Sequence, residues 1–541
     1  MSRPRSKTPP CPDCGGYARK NGQRRGTSIN RYECVNEGGD PNCNRRFTDN
    51  TKDKKRDAKE QRPETPTKDA LATDTHVFLF TWAQNATAVH PGFWNSLQAC
   101  RLYRDADLNV IKGRYRNPTI RGEECDDEWW ADEVQGYLWD KRGEICPAVE
   151  VLGDIRVQPT AVRPLTGLDT ITRGLSGILG HPKLEMRVIP TPQNDLPKQM
   201  QTTGACTVQN YSDSKAGKKG EFHHTFGAVI VEVRGDVFHM RQINAMPDGS
   251  FIDVDTEYFP DGTTSPAERA LALCMGDWHS GFTNPDVIEA TFGVDSYTGT
   301  MIDILKPEKI FWDDVLDQYG RNHHHVLDPF IAMAKFSDDT LMQWGNLKSE
   351  VEAACWEVKH YTAEAEENLG MPVVSVIKSS NHDEALTRYI RERNWKNDPV
   401  NMEFYLETAL RMVKRTEMTP TGAQYPEALH IWAEDLCPDA VLLGRRGSYM
   451  VGDIECIYHG DIGPNGARGS ILNFAKIGVK TNIAHLHTPG IVEGCYQVGT
   501  STYLNLEYTK GPSSWMNTHC VIYANGKRAL LTIINGKWRH A

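Results

Sequence analysis

Hydrophobic positions along the chain occur mostly in short runs separated by polar clusters. The runs VFLFTWAQ (77–84) and DLNVIKGRYRNP (107–118) predict strands, and FWNSLQACRLYRDA (93–106) between them predicts a helix. Alternation of strand, helix and strand is typical of an α/β domain. We expect this accessory α/β region to span residues 74–221.

The pattern changes in the second region, which we expect to span residues 222–541. GAVIVEVRGDVFHMRQI (227–243) predicts a tight hairpin, and apolar strands, polar clusters and helices then alternate. The run HCVIYANGKRALLTIINGKW (519–538) has two Asn-Gly pairs between β-rich stretches. Because Asn-Gly favours type I′ turns, this run predicts a C-terminal β-meander.

The first 49 residues contain a candidate structural zinc site. Four thiolates can close a tetrahedral Zn²⁺ site, and so small a segment needs such a site to fold. The KNG and RYxC…C…RRFT elements resemble the zinc ribbon found at the start of some transposases. A redox pair or unliganded thiols are the alternatives. The predicted ligands are Cys11, Cys14, Cys34 and Cys43.

A linker and a charge asymmetry follow from the composition. Residues 50–73 are charged, contain proline and have few large apolar groups, which predicts a flexible linker. The chain has a net charge of −10, yet residues 1–62 contain 16 Lys and Arg against 8 Asp and Glu. A basic arm on an acidic body suggests a polyanion such as DNA as partner. The sequence predicts no membrane span and no secretory signal, so we expect a cytoplasmic protein with reduced cysteines.

Five clusters after residue 270 share one arrangement, in which a β-rich run ends in side chains that can bind metal. One such cluster would more often be a cap or a solvated loop, but five in succession indicate a shared site. Because strand ends of an α/β sheet converge on one crevice, these side chains can meet in space. The clusters are LALCMGDWH, KIFWDDVLD, VVSVIKSSNHD, IECIYHGD and NIAHLHTPG.

The order D-x-H, D-x-x-D, N-H-[DE], H and H-x-H resembles the motif series of calcineurin-like metallophosphoesterases over about residues 268–500. That class includes phosphoprotein phosphatases, cyclic-nucleotide phosphodiesterases and double-strand-break repair nucleases. Asp313, Ser380 and Ala484 stand where the family usually has glycine. Asp313 makes the choice of bridging carboxylate ambiguous, and Asp314 is preferred because it alone gives the D-x-x-D spacing to Asp317. The resemblance implies an α/β protein with a metallophosphoesterase αββα sandwich core, an N-terminal zinc ribbon and an additional α/β region.

The resemblance also implies two divalent metal ions, with Mn²⁺ the best match to mixed oxygen and nitrogen donors and Fe or Zn as alternatives. One metal would be held by Asp277, His279, Asp314 and His487. The other would be held by Asp314, Asn381, His459 and His485. A hydroxide activated by both metals would attack phosphorus in line. His382 would protonate the leaving oxygen, with Asp383 orienting it.

A further resemblance links most of the chain after the ribbon to the early DNA-degradation protein of tailed phages that inject their genome in two steps. It rests on NYSDSKAGKKGEFHHTFGA, RNHHH, HGDIGPNGARGS and EGCYQVGTST. It implies a deoxyribonuclease that degrades host DNA in the host cytoplasm, and a homo-oligomer is compatible with it. A phosphomonoesterase acting on nucleotides or phosphoproteins, and a non-catalytic DNA- or protein-binding protein, are the competing hypotheses. Candidate substrate contacts, each with a solvated or capping role as the alternative, are Lys215, Lys218, Lys219, His323 and Arg468.

Overall fold

The computed structural model describes residues 18–23, 30–34, 46–48, 74–115, 129–192, 195–321, 345–393, 395–507 and 509–540. Met1–Glu64 and Thr65–Ala541 form two compact units. In the first unit the strands β1 (Ala18–Gln23), β2 (Asn30–Cys34) and β3 (Arg46–Thr48) form one antiparallel sheet. The predicted zinc ligands Cys11, Cys14 and Cys43 lie outside the described residues, as does the linker, and only the backbone of Cys34 is described.

The described strands of the second unit fall into two halves of the chain. Up to residue 258 they are β4 (His76–Gln84), β5 (Asp107–Gly113), β6 (Leu138–Trp139), β7 (Arg142–Cys146), β8 (Val149–Leu152), β9 (Ser176–Leu179), β10 (Glu185–Ile189), β11 (Lys198–Thr202), β12 (Gly227–Arg234), β13 (Val237–Asn244), β14 (Phe251–Asp253) and β15 (Thr256–Tyr258). From residue 264 they are β16 (Thr264–Pro266), β17 (Ala272–Cys274), β18 (Lys309–Trp312), β19 (Val374–Lys378), β20 (Glu417–Thr419), β21 (Gly422–Gln424), β22 (Val441–Leu443), β23 (Met450–Val451), β24 (Ile454–Glu455), β25 (Lys480–Ile483), β26 (Gly490–Val492), β27 (Cys495–Gln497), β28 (Thr518–Ile522) and β29 (Arg528–Thr532).

The described α-helices lie between these strands. They are α1 (Pro91–Tyr103), α2 (Lys215–His223), α3 (Pro285–Thr291), α4 (Met301–Leu305), α5 (Leu347–Leu369), α6 (Asn381–Glu392), α7 (Met402–Arg415), α8 (Ala428–Leu436) and α9 (Ile471–Phe474). The longest, α5, begins at the capping side chain of Asn346 and ends at Gly370, whose φ of 62° is readily adopted only by glycine. None of the described helices has both the length and the apolar composition needed to cross a bilayer.

The predicted strands and hairpin near residues 77–118 and 227–243 are confirmed, and they belong to one sheet. Its order is β13-β12-β4-β5-β6, with β12 antiparallel to β4 and β4 parallel to β5. This sheet therefore crosses the expected boundary between residues 221 and 222. Both faces of β4 are buried, because Leu79 packs into one apolar cluster and Phe80 into another, and neither side chain has exposed surface.

Two larger sheets pack face to face and position the candidate site. One has the order β22-β19-β18-β17-β28-β29, and its first four strands are parallel. The other has ten strands, in the order β23-β24-β25-β27-β26-β10-β11-β9-β8-β7, so the accessory region supplies half of it. A buried apolar layer that includes Phe311, Val376, Ile454 and Tyr496 lies between them. Helices α5, α6 and α8 cover the outer face of the six-stranded sheet.

The C-terminal run differs in detail from the prediction. Strands β28 and β29 form a hairpin, but only Gly526 of the first Asn-Gly pair has positive φ, so that turn is not type I′. At the second pair Asn535 and Gly536 have φ of 50° and 70°, as type I′ requires. Ile534 and Lys537 exchange two backbone hydrogen bonds around it, as an isolated bridge rather than a further strand.

Candidate metal centre

The clusters identified in the sequence follow the carboxyl ends of strands in the two facing sheets. Asp277 and His279 follow β17, Asp314 follows β18 and Asn381 begins α6 just after β19. In the other sheet the histidines of the last two clusters follow β24 and β25. Because neighbouring strands end at the same edge, side chains separated by 200 residues in sequence become neighbours in space.

The first group of candidate ligands comprises Asp277, His279, Asp314 and His487, all buried, with ligand atoms within 4.8 Å of one another. The Nε2 atoms of His279 and His487 are 3.1 Å apart. Nε2 of His487 lies 3.0 Å from Oδ2 of Asp277, and Nε2 of His279 lies 3.7 Å from Oδ2 of Asp314. Two ligands bonded at about 2.1 Å to one metal lie roughly 3.0–3.4 Å apart for octahedral or tetrahedral angles, so the spacing fits a metal ion.

The second group shares Asp314 with the first and adds His459 and His485. Nε2 of His459 lies 3.2 Å from Oδ2 of Asp314 and 3.0 Å from Oδ1 of Asn381. The structure therefore brings together the residues expected for both metals, with Asp314 common to the two groups. Buried Asp and His groups at this position could hold metal ions.

Four of these residues have strained backbones. His279, Asp314, His485 and His487 have φ of 49°, 45°, 74° and 55°, in the left-handed region that side chains other than glycine rarely adopt. Each such residue costs about 1–3 kcal/mol and persists only where the surrounding structure enforces it. In these loops the left-handed backbone conformation directs the four side chains toward the shared ligand groups.

Unpaired atoms within the centre also fit a bound cation. Oδ1 of Asp277 and Nδ1 of His487 are buried without a hydrogen-bond partner that the described residues supply. Unpaired buried polar atoms are costly in a folded protein. Two aspartates and several imidazoles are donors that divalent transition metals accept, so the residues present fit the ions that the sequence implies.

The electrostatics of the centre reflect its surplus of carboxylates. Burial lowers the pKa of His279, but its contact with Asp317 and the charge of Asp314 raise that pKa to about 9. For His459, burial again lowers the pKa, and Asp314 with Asp313 raises it well above its ordinary value. The centre therefore attracts positive charge, and protons occupy it when metal does not.

The contacts of Asp313 differ from those of Asp314. Oδ1 of Asp313 lies 3.0 Å from Nδ1 of His459, the ring nitrogen opposite the one that faces Asp314. Oδ2 of Asp313 lies 2.7 Å from Nζ of Lys378, whose side chain is only 2% exposed. Asp313 is therefore neutralised by a lysine and orients His459, whereas Asp314 faces both ligand groups. Only the fold shows this, because the local sequence contains both aspartates side by side.

His382 lies at the edge of the centre, as expected of a residue that meets substrate. Its ring centroid is 4.6 Å from that of His279, and its side chain is 28% exposed. Nδ1 of His382 lies 3.1 Å from the backbone carbonyl oxygen of Asp317 and 3.8 Å from its Oδ2. Oδ2 of Asp317 is also 3.0 Å from Nδ1 of His279. Asp317 thus orients two histidines, a role that the D-x-x-D spacing could have suggested.

Asp383 differs from the expectation that it orients His382. Its carboxylate accepts a hydrogen bond from the backbone N–H of Leu316, at 3.1 Å, while its own backbone N–H donates to the capping Ser380. Burial, followed by the charge of Asp314, raises the pKa of Asp383 to about 8. Asp383 therefore holds the loop that carries Asp314 and Asp317, and Asp317 takes the position beside the His382 ring.

The expected substrate contacts are not part of either ligand group. The run with Lys215, Lys218 and Lys219 is helix α2 rather than a mobile loop, because Ser214 caps it and Gly217 and Gly220 allow it to pack closely. The ammonium of Lys218 pairs with Glu221 at 3.2 Å and with Asp213 at 3.8 Å. Arg468 is exposed on the loop after His459, and His323 lies outside the described residues.

The chain shows extended sequence similarity to a phage protein. The chain is 33% identical over 479 residues to Protein A1 of Escherichia phage T5, which covers 85% of this chain and 82% of that protein. The chain matches no established protein-family profile. No solved structure matches it. The similarity to the phage protein therefore spans most of both chains.

Proposed function

The chain belongs to the family of Protein A1 of Escherichia phage T5, and from its metal centre we propose that it is a calcineurin-like metallophosphoesterase that hydrolyses DNA. The observation that carries the proposal is Asp314, which is shared by two buried groups of Asp and His side chains. Phosphodiester hydrolysis uses such a pair of sites, because one shared carboxylate keeps two cations close together. As a member of a phage protein family, the protein would act in the host cytoplasm.

Two divalent ions bound by these groups would polarise the phosphate and lower the pKa of a water molecule. Asp277, His279, Asp314 and His487 would hold one ion, and Asp314, Asn381, His459 and His485 the other. Mn²⁺ suits this mixture of carboxylate, amide and imidazole donors. The left-handed backbones fix the ligands before any ion binds, which reduces the reorganisation that binding requires.

The chain's own residues supply the proton for the leaving group. Nδ1 of His382 donates its proton to the carbonyl oxygen of Asp317, so Nε2 is the nitrogen that can face substrate, and in the imidazolium form Nε2 carries the second proton that it gives to the leaving oxygen. The partial exposure of the ring allows Nε2 to reach a substrate oxygen. His382 also follows the first residue of α6, whose N-terminal partial positive charge favours an approaching phosphate.

DNA is the proposed substrate because of charge. Residues 1–62 carry an excess of eight positive charges, whereas the rest of the chain is acidic. A basic arm retains a polyanion by contacts that do not depend on base sequence. The acidic body attracts the divalent cations that the centre needs.

The proposal is tested by incubating purified full-length protein with linear and closed circular duplex DNA in Mn²⁺, Mg²⁺ or EDTA. Asp314→Asn should abolish cleavage and lower the bound metal measured by elemental analysis, whereas the exposed control Asp295→Asn should change neither. Cleavage that persists in EDTA, or in Asp314→Asn, would disprove the proposal. Turnover of a small phosphomonoester without any DNA cleavage would instead identify a phosphomonoesterase.

A further inference from the structure

A cleft of about 790 Å³ lies apart from the metal centre. It is lined by the C-terminal end of α2, the segment that leads into β25, the turn between β26 and β27, and the turn between β28 and β29. Strand β25 begins at the cleft with Lys480, and the loop after its opposite end carries His485 and His487. The cleft and the metal centre therefore lie at opposite ends of β25, along which the chain rises about 3.3 Å per residue.

The cleft has an excess of positive charge. Among the described residues that line it, the only carboxylate is Glu493, which already pairs with Lys183 at 3.0 Å, and Lys480 pairs with Asp453 outside the lining. Among the described residues no carboxylate lies within ion-pair distance of Lys476 or Lys527. The cationic side chains that line the cleft are Lys183, Lys476, Lys480, Lys527 and Arg528.

Arg528 places a buried charge at the floor of the cleft. The residue is 5% exposed, and its guanidinium donates to the backbone oxygens of Thr481 and Gly494, at 2.6 and 2.8 Å, and to Oδ1 of Asn482. None of these acceptors is a carboxylate, so no acidic side chain pairs directly with the guanidinium, although the charge of Asp453 acts on it from a distance. A buried cation without a directly paired carboxylate favours an anion nearby. Burial and the charge of Lys480 lower the pKa of Lys527, and the charge of Asp453 offsets this only in part.

Aromatic side chains complete the lining. Phe222 lies at the cleft and is 82% exposed, so its ring is free to stack on a ligand there. Tyr496 lies below, with the Arg528 guanidinium 4.0 Å from its ring centroid. Cations for a phosphate combined with an exposed ring for stacking are typical of sites that bind nucleotides without base selectivity. The volume also falls within the range of about 300–1,000 Å³ seen for small-ligand sites.

We propose that this cleft binds a nucleotide, with Lys476 and Lys527 contacting its phosphate and Phe222 stacking on its base. The nucleotide can be free or part of a single DNA strand, since both present the same phosphate and base. This inference goes beyond the proposed function and does not depend on it, because the cleft contains none of the proposed metal ligands.

The test measures binding of a fluorescein-labelled pentadeoxynucleotide to full-length protein in EDTA, by anisotropy at several salt concentrations. Lys476→Glu combined with Lys527→Glu should weaken binding at least tenfold. Loss of two cations should also reduce the slope of log affinity against log salt by about 1.4 for a single strand. Lys414→Glu, an exposed lysine on α7, is the matched control and should bind as wild type does.

Phe222→Ala provides an independent variant, since so exposed a side chain contributes little to folding. Loss of one stacked base should weaken binding by about 5- to 150-fold. Competition by deoxyadenosine monophosphate would identify a free nucleotide as a ligand, and competition by unlabelled oligonucleotide alone would identify a DNA strand. Wild-type affinity in both the lysine and the Phe222 variants would overturn the inference, as would equal competition by inorganic phosphate. Because no metal is present, either result is separate from the outcome for DNA cleavage.

Discussion

Replacement of Lys378 by methionine should destabilise the protein severely, because it leaves the Asp313 carboxylate buried without its cation. The two side chains are 2% and 1% exposed, and their charged atoms are 2.7 Å apart. Burial lowers the pKa of Lys378, but Asp313 raises it above its ordinary value, so the ammonium of Lys378 is charged in the folded protein. Removal of one partner from a buried pair typically costs about 3–5 kcal/mol.

A double-mutant cycle can separate the cost of the unpaired Asp313 charge from the cost of the packing lost with the Lys378 side chain. In Lys378→Met with Asp313→Asn, no unpaired charge is buried, and the amide oxygen of asparagine can still accept from Nδ1 of His459. We therefore expect the double variant to be more stable than Lys378→Met alone, with a coupling energy of about 2–3 kcal/mol. Arg415→Met is the matched control, because Arg415 pairs with Glu434 at the surface and its loss should cost less than about 1 kcal/mol.

The assay is urea unfolding followed by tryptophan fluorescence in EDTA, so that metal binding does not contribute to the free energy of unfolding. The reasoning is refuted if Lys378→Met unfolds at the wild-type urea midpoint. It is also refuted if the free-energy losses of the single variants simply add in the double variant, since Asp313 and Lys378 would then not depend on each other.

Three further predictions follow from the contacts of the site and of α5. His382→Ala should reduce DNA cleavage by about 10²- to 10⁴-fold while bound metal stays unchanged, and parallel loss of metal in elemental analysis would contradict its role as proton donor. His279, with a pKa of about 9, is protonated in the metal-free centre at neutral pH. Because Mn²⁺ must displace this proton, the affinity for Mn²⁺ should rise about tenfold per pH unit for each proton displaced. Calorimetry that shows the same Mn²⁺ affinity at pH 6 and pH 8 would exclude this proton displacement. Burial raises the pKa of Glu350 from 4.5 to about 8. Between these pH values the unfolded chain loses a proton that the folded protein keeps. The free energy of unfolding should therefore fall by about 1.4 kcal/mol for each unit that the pH rises. Glu350→Gln should remove that slope in urea unfolding at pH 5 to 8, and an unchanged slope would show that Glu350 is ionised in the folded protein.

Much of the candidate centre could be predicted from the sequence because its information is local. A short apolar run followed by Asp, His or Asn marks a strand end, and the spacing within each cluster decides which side chains share a direction. The grouping around Asp277 and His279 and the grouping around His459 and His485, which the resemblance to metallophosphoesterases implies, both agree with the ligand groups of the structure. The hairpin at residues 227–243 could likewise be predicted from the sequence, because its turn and its alternating apolar and polar positions lie within one segment.

Other features depend on contacts between distant segments, which no local pattern contains. The sequence alone could not show that β12 pairs with β4. Because they do pair, the expected boundary at residue 221 falls between strands of one sheet. It also could not show that Asp317, rather than Asp383, lies beside the His382 ring, since Asp383 is adjacent to His382 in sequence whereas Asp317 is 65 residues away.

The sequence by itself determined the residue types available to this protein, in the form of strand ends that carry side chains able to bind metal and a basic N-terminal arm. Only the tertiary structure decided which of two adjacent aspartates faces both ligand groups, because that depends on Lys378 reaching Asp313 from a neighbouring strand. The cleft with Lys476, Lys527 and Phe222 was likewise decided by the fold, because these residues are far apart in sequence. Residue types set which ligands a site can hold, and the packing of the sheets sets which residues meet.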